Sequence, residues 1–174
     1  MIEGLGPPPP DMDEEIAWTI DGFKRIDQAL AGQRGLDDLE AAYRRLHERN
    51  PRLSEAQARR LALLGTRARE DGKLEWKFDS MLTTMALTGP FDLDYAMAFW
   101  KRIAARTLIV HGGESGEFWR SKPGAIYLDP DDLQRRLACF RDARFVEIEG
   151  AGHMVHFDRP RELLQHVRSF LADG

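Results

Sequence analysis

FVEIEGAGHMVHFDRP, residues 145–160, passes from strand to turn to helix with little room between them. Phe145, Val146 and Ile148 are aromatic or β-branched, the composition of a short strand. Gly150 and Gly152 flank Ala151 and free the backbone to turn sharply. His153 follows at once. Pro160 has a fixed φ and no N–H, which suits the first turn of a helix. Leu163, Leu164, Val167, Phe170 and Leu171 then recur at helical spacing. One imidazole is therefore predicted on a loop clamped between a buried strand and a packed helix, where an α/β protein can hold a base rigidly. A lone loop histidine is ordinarily a polar surface residue; the glycines, the strand and the proline-started helix favour the functional reading.

Working outward, Thr107-Leu-Ile-Val-His111 is a continuous apolar run ending in Gly112-Gly113. Such a run predicts a parallel strand covered on both faces. Asp129-Pro-Asp-Asp-Leu133 predicts a helix start with Pro130 in its first turn, and residues 114–124 read as loop. Strand, helix, strand, loop and helix form a βαβα unit, whose ligands gather beyond the carboxyl ends of the strands. Glu3, Glu114 and His153 all fall at those ends.

The preceding sequence is different in kind. Residues 1–6 read as the end of a strand running into a glycine turn, and Pro7–Pro10 as a stiff linker. Ile16, Ile20, Phe23, Ile26 and Leu30 predict one apolar helix face. A second helix is predicted over 36–50, ended by Asn50-Pro51. A third starts at the capping box Ser54-Glu-Ala-Gln57 and runs to about Glu70. Asp71-Gly72 is a turn, 74–78 a short extended piece, and 80–87 and 95–103 are short helices. These helices have no evident strand partners, which is how an inserted helical lid reads, with an independent helical domain as the alternative.

Composition bounds the function. The chain has 174 residues, enough for a real core, with 43% hydrophobic and 31% charged residues, as in a soluble globular protein. A net charge of -4 argues against a nucleic-acid partner. The pairs Arg59-Arg60 and Arg135-Arg136 read as solvated helix faces. The single cysteine, Cys139, lies in an apolar patch and reads as a buried thiol. With no internal disulfide, no apolar run of membrane-spanning length and no leader-like start, a cytoplasmic protein is expected, with no membrane partner.

GAGHMVHFDRP followed by a Leu-rich helix resembles the C-terminal end of an α/β-hydrolase. Residues 1–10 and 105–116 support the likeness, and the stretch around Trp76-Lys-Phe-Asp79 is similar to the lid of many members. The resemblance implies a partial α/β-hydrolase fold of about three parallel strands with flanking helices. Its segments would be 1–10, the end of a core strand plus linker; 11–104, a helical lid; and 105–174, the C-terminal core. His153 would be the general base of a nucleophile–acid–His triad. Ser115 stands where most members carry the acid, with Glu114 one residue off. A subset carries it at the end of the preceding core strand, which Glu3 matches; Glu3 is preferred and Glu114 is the alternative.

The motif G-x-S-x-G does not occur in these residues. Gly113-Glu-Ser-Gly-Glu117 comes nearest, but it follows the wrong strand and ends in Glu117. A base without a nucleophile cannot run covalent hydrolysis, so these residues alone are expected to be inactive. In the intact protein the substrate would be a small apolar ester-like molecule, with no cofactor. Trp76, Trp100, Phe118 and His111 are candidate pocket walls, though aromatics at helical spacing are commonly core. His153 and His156 lack a third nearby ligand, so no metal is expected. The open edge of the first strand predicts a homodimer or other association, the reading of a non-catalytic interaction module.

Overall fold

The computed structural model describes residues 1–9, 12–32, 34–83, 91–120 and 126–173. The chain divides into two compact units, Pro10–Pro90 and Met1–Pro9 with Phe91–Gly174.

In the first, α1 spans Met12–Leu30, with Asp13, Glu14 and Glu15 at the positive end of its dipole. Its apolar face is not buried as expected: Ile16, Ile20, Phe23 and Leu30 are 50–72% exposed. Helix α2, Leu39–Arg49, starts where the Asp38 carboxylate accepts the Ala41 N–H at 2.7 Å. Helix α3, Glu55–Gly65, starts at the predicted box, Ser54 and Gln57 each capping the other's backbone N–H. It stops five residues earlier than predicted, because Thr66 leaves the helix for strand β1, Thr66–Ala68. This pairs antiparallel with β2, Leu74–Trp76, across a turn where Gly72 takes φ +80°. The extended piece expected at 74–78 is thus β2, and the helices do have a strand partner: the hairpin closes α2 and α3, packing Leu74 and Trp76 onto Leu36, Ala42 and Ala62. Ser80–Thr83 is a 3₁₀ turn; the rest of the helix predicted to residue 87 lies outside the described residues.

In the second unit, α4 is Leu93–Trp100, capped by Asp92. It packs with the strand core, in the compact unit that resumes at Phe91. Strand β3, Thr107–Gly112, is followed by the short helix α5, Gly116–Arg120, where loop was expected. Helix α6, Pro130–Leu137, is capped by Asp129. Strand β4, Ala143–Ile148, runs parallel to β3 with Val110 opposite Val146. Helices α7, Val155–Asp158, and α8, Pro160–Ala172, complete it. On the other side of β3, Ile2 bridges Val110 in parallel, and the Glu3 N–H donates to the Val110 carbonyl at 3.0 Å.

The apolar run of β3 is explained by two covered faces. Leu108 and Val110 pack with Ile148, Val155 and Leu163 toward α8. Ile109 points the other way, into Leu5, Trp100, Cys139 and Phe140, backed by α4 and α6. Period-two alternation puts His111 on the Ile109 side, where its ring lies 4.4 Å from that of Tyr127. Cys139 is buried, as read. The Arg pair at 135–136 is not a solvated face: Arg135 is exposed, but the Arg136 side chain is 1% exposed.

Candidate active site

The carboxyl ends of three chain segments converge here: residues 1–3, β3 and β4. Beyond β4, Gly150 takes φ +68°, and the Gly152 N–H donates to Asp158 at 2.7 Å. The Gly113 N–H donates to the Ile148 carbonyl at 3.0 Å and the Glu114 N–H to Ala151 at 2.8 Å, so the loops after β3 and β4 are sewn together. Their approach leaves no space for a side chain at Gly112, whose Cβ would lie 2.4 Å from the Gly152 carbonyl. That contact brings the His153 loop over the end of β3.

Glu3 sits at the centre. It takes φ +52°, uncommon for a residue with a side chain. Its side chain is 5% exposed. One oxygen, Oε1, accepts the Gly112 N–H and the Ser115 Oγ–H, both at 2.6 Å. The other, Oε2, lies 3.1 Å from His153 Nδ1 and 3.3 Å from His111 Nε2, the latter off the hydrogen-bond line. Burial alone would push the Glu3 pKa up; the interactions with His111 and His153 and the Ser115 hydroxyl outweigh it and lower it to about 2. An ionised carboxylate only accepts, so the proton of this contact sits on His153 Nδ1; in that tautomer of the neutral imidazole, Nε2 is the nitrogen left to accept.

The imidazole is framed by aromatics. Phe118 stacks on it at 4.2 Å and 9°, and Trp119 meets it edge-on at 5.2 Å, both from α5. Phe118 remains 52% exposed.

Of the residues singled out from the sequence, the structure brings Glu3, His111, His153 and Phe118 together. Among the described residues, Glu114 has no side-chain contact with His153. It lines a separate cavity of about 180 Å³ with His111, Tyr127, Leu133 and Glu147. Trp100 is 8% exposed and stacks on Phe140 within the core. Trp76 belongs to the other unit, where it packs with its hairpin. His156 lies against Phe157, and no group of three or more metal-ligating side chains occurs among the described residues. Ser115 went unrecognised as a partner of Glu3. Its signal was its place, where an acid was expected and a hydroxyl stood instead.

A parallel strand covered on both faces, with a carboxylate and an imidazole meeting beyond the carboxyl ends of the sheet, defines an α/β protein with its candidate site at the strand ends. The chain belongs to the alpha/beta hydrolase family, whose model matches residues 2–166. Among solved structures, its fold is similar to an esterase of Mycobacterium tuberculosis, at 20% identity and a TM-score of 0.69 over 95% of this chain and 52% of that one. It is also similar to E-2-(acetamidomethylene)succinate hydrolase, at 21% identity and 0.66 over 90% and 53%. A thioesterase domain from the curacin biosynthetic pathway gives 22% and 0.64 over 95% and 55%. The chain thus spans about half the length of these solved structures. A comparison with curated proteins gives no match.

Proposed function

We propose that this chain supplies the acid and base of an ester- or thioester-cleaving site, with His153 as general base and Glu3 as the acid that orients it. The observation that carries this reading is the 3.1 Å contact between His153 Nδ1 and a Glu3 carboxylate held ionised. The nucleophile comes from sequence outside these residues. Its hydroxyl proton passes to His153 Nε2 as its oxygen bonds the substrate carbonyl carbon. The same proton then goes to the leaving group as the bond to that group breaks, and water repeats the cycle on the acyl intermediate. Glu3 stabilises the imidazolium formed at each step without taking a proton. Phe118, exposed beside the imidazole, forms a wall for a small apolar substrate.

The test uses p-nitrophenyl esters. The 174-residue chain should show no turnover. The enzyme completed with a G-x-S-x-G elbow should turn over, and His153→Ala should cost it at least about 10³-fold in kcat. Hydrolysis by the chain alone that disappears on His153→Ala would overturn the assignment of an external nucleophile. An unaffected kcat in the completed His153→Ala enzyme would remove His153 as the base.

A second reading, association with another copy, rests on the edge formed by residues 1–3. Among the described residues they pair with β3 on one side only, and Ile2 is 44% exposed.

A further inference from the structure

Arg136 is fully buried, and its guanidinium is used on two sides. Nε and Nη2 reach Asp132 Oδ2 at 3.0 and 2.7 Å, while Nη1 donates to the carbonyls of Leu5 and Pro7 at 2.6 and 2.9 Å. The Tyr127 hydroxyl donates to the carbonyl between them, that of Gly6. Three successive carbonyls are therefore gripped by side chains from α6 and the segment before it. The Leu5 side chain is fully buried, and the Phe91 ring closes over Gly6, which takes φ +79°. Asp132 is held below the usual carboxylate range: burial opposes this, and hydrogen bonds from Arg135 and Arg136 prevail.

A buried ion pair is a weak source of stability, because desolvation consumes most of its attraction. Its value here lies in what the fork holds. Two residues before Leu5 stands Glu3, in a left-handed conformation that is strained for a residue with a side chain and persists only where its surroundings over-determine it. The Val110 carbonyl fixes Glu3 from the N-terminal side. The grip on residues 5–7 fixes it from the other.

We propose that Arg136, seated on Asp132 and assisted by Tyr127, is a positioning residue. It clamps residues 5–7 so that Glu3 keeps its strained backbone and aims Oε2 at His153. This deepens the reading of Glu3 as the acid and rests on it. A lysine cannot substitute, since one ammonium lacks the planar fork that reaches Asp132 and two carbonyls together.

The test is NMR on the 174-residue chain carrying Arg136→Met, Arg136→Lys or Tyr127→Phe. It reads the titration of the ¹³C-labelled Glu3 carboxyl and the downfield signal of the His153 Nδ1 proton. In both Arg136 variants the Glu3 midpoint should rise by about one pH unit or more and the Nδ1 signal should be lost. Tyr127→Phe should shift both less, in the same direction. Val167→Ala, a core truncation on α8, should lower stability and leave both readouts in place. Folded Arg136 variants with parental titration and signal would overturn the proposal, as would Val167→Ala moving both equally. If the Arg136 variants do not fold, Tyr127→Phe and Asp132→Asn decide on the same readouts. An unaffected kcat in the completed Glu3→Gln enzyme would defeat the reading of Glu3 as acid and leave the clamp standing. Lost turnover with unmoved NMR readouts would defeat the clamp alone.

Discussion

A single carboxylate in this protein answers to four neighbours. Oε1 of Glu3 is occupied by Gly112 and Ser115, which leaves Oε2 to face the two imidazoles. Ser115 is completely buried, so Ser115→Ala leaves an ionised acceptor one donor short. The expected cost is about 1.5–3 kcal/mol by urea unfolding, the range for hydrogen bonds to charged groups. The Glu3 midpoint should rise with it. The pH dependence follows from the sign of the shift. The folded pKa, about 2, lies below the ordinary 4.5, so ionised Glu3 stabilises the fold fully above pH 4.5. That contribution is lost as the pH falls from 4.5 toward 2, where unfolding takes up a proton. Denaturation midpoints across this window should fall less steeply for Glu3→Gln than for the parent; equal slopes would assign the acid sensitivity elsewhere. At this scale the sequence offered Glu3 and Glu114 as acids; Glu3 lies 3.1 Å from His153 Nδ1, and Glu114 makes no ion pair with it among the described residues. Nothing local to either carboxylate could have done so, since Glu3 and His153 are 150 positions apart.

Elements carry the site by their ends. Strand β3 delivers His111 and Gly112, and the crossing of the Gly152 carbonyl requires the latter to be glycine. Gly112→Ala should cost about 1–3 kcal/mol of stability by forcing backbone apart, and the His153 Nδ1 signal should shift as the loop moves. In the other unit, Ser54→Ala removes the start of α3 and should cost about 1 kcal/mol by thermal unfolding. Helix starts were legible because a cap is a local pattern of three or four residues. The hairpin of β1 and β2 was not legible. Its strands are three residues each, too short for periodicity to register, and their pairing is settled by the packing of Leu74 and Trp76. Arg136 was misread for a similar reason. Its charge pattern along α6 is that of a solvated face, and only the chain's first residues, arriving from more than 120 positions away, bury it.

The whole molecule is two compact units threaded so that one is interrupted by the other. No described helix is long and apolar enough to cross a membrane. The core unit spans both sides of the 10–90 segment in sequence, so Glu3 reaches β3 and His153 only when the segments on either side come together. Association through residues 1–3 belongs to this scale. Sedimentation velocity on the 174-residue chain should show a dimer that dissociates on dilution. Replacing exposed Ile2 with lysine should shift it to monomer, since a charge on an edge strand opposes pairing. A parent chain that stays monomeric at high concentration would end the second reading.

By itself, the sequence determined what short-range chemistry can determine. It marked the covered strand from Thr107 to His111, the proline-started helix α8, the starts of α3 and α6, and a histidine on a glycine-flanked loop. Each of these is written in neighbouring residues through alternation, helical spacing or a cap. Only the tertiary structure decided which carboxylate meets that histidine, that Ser115 serves the carboxylate, and that Arg136 is buried against residues 5–7. These are contacts between segments more than 100 positions apart in the chain, so no local pattern of residues encodes them.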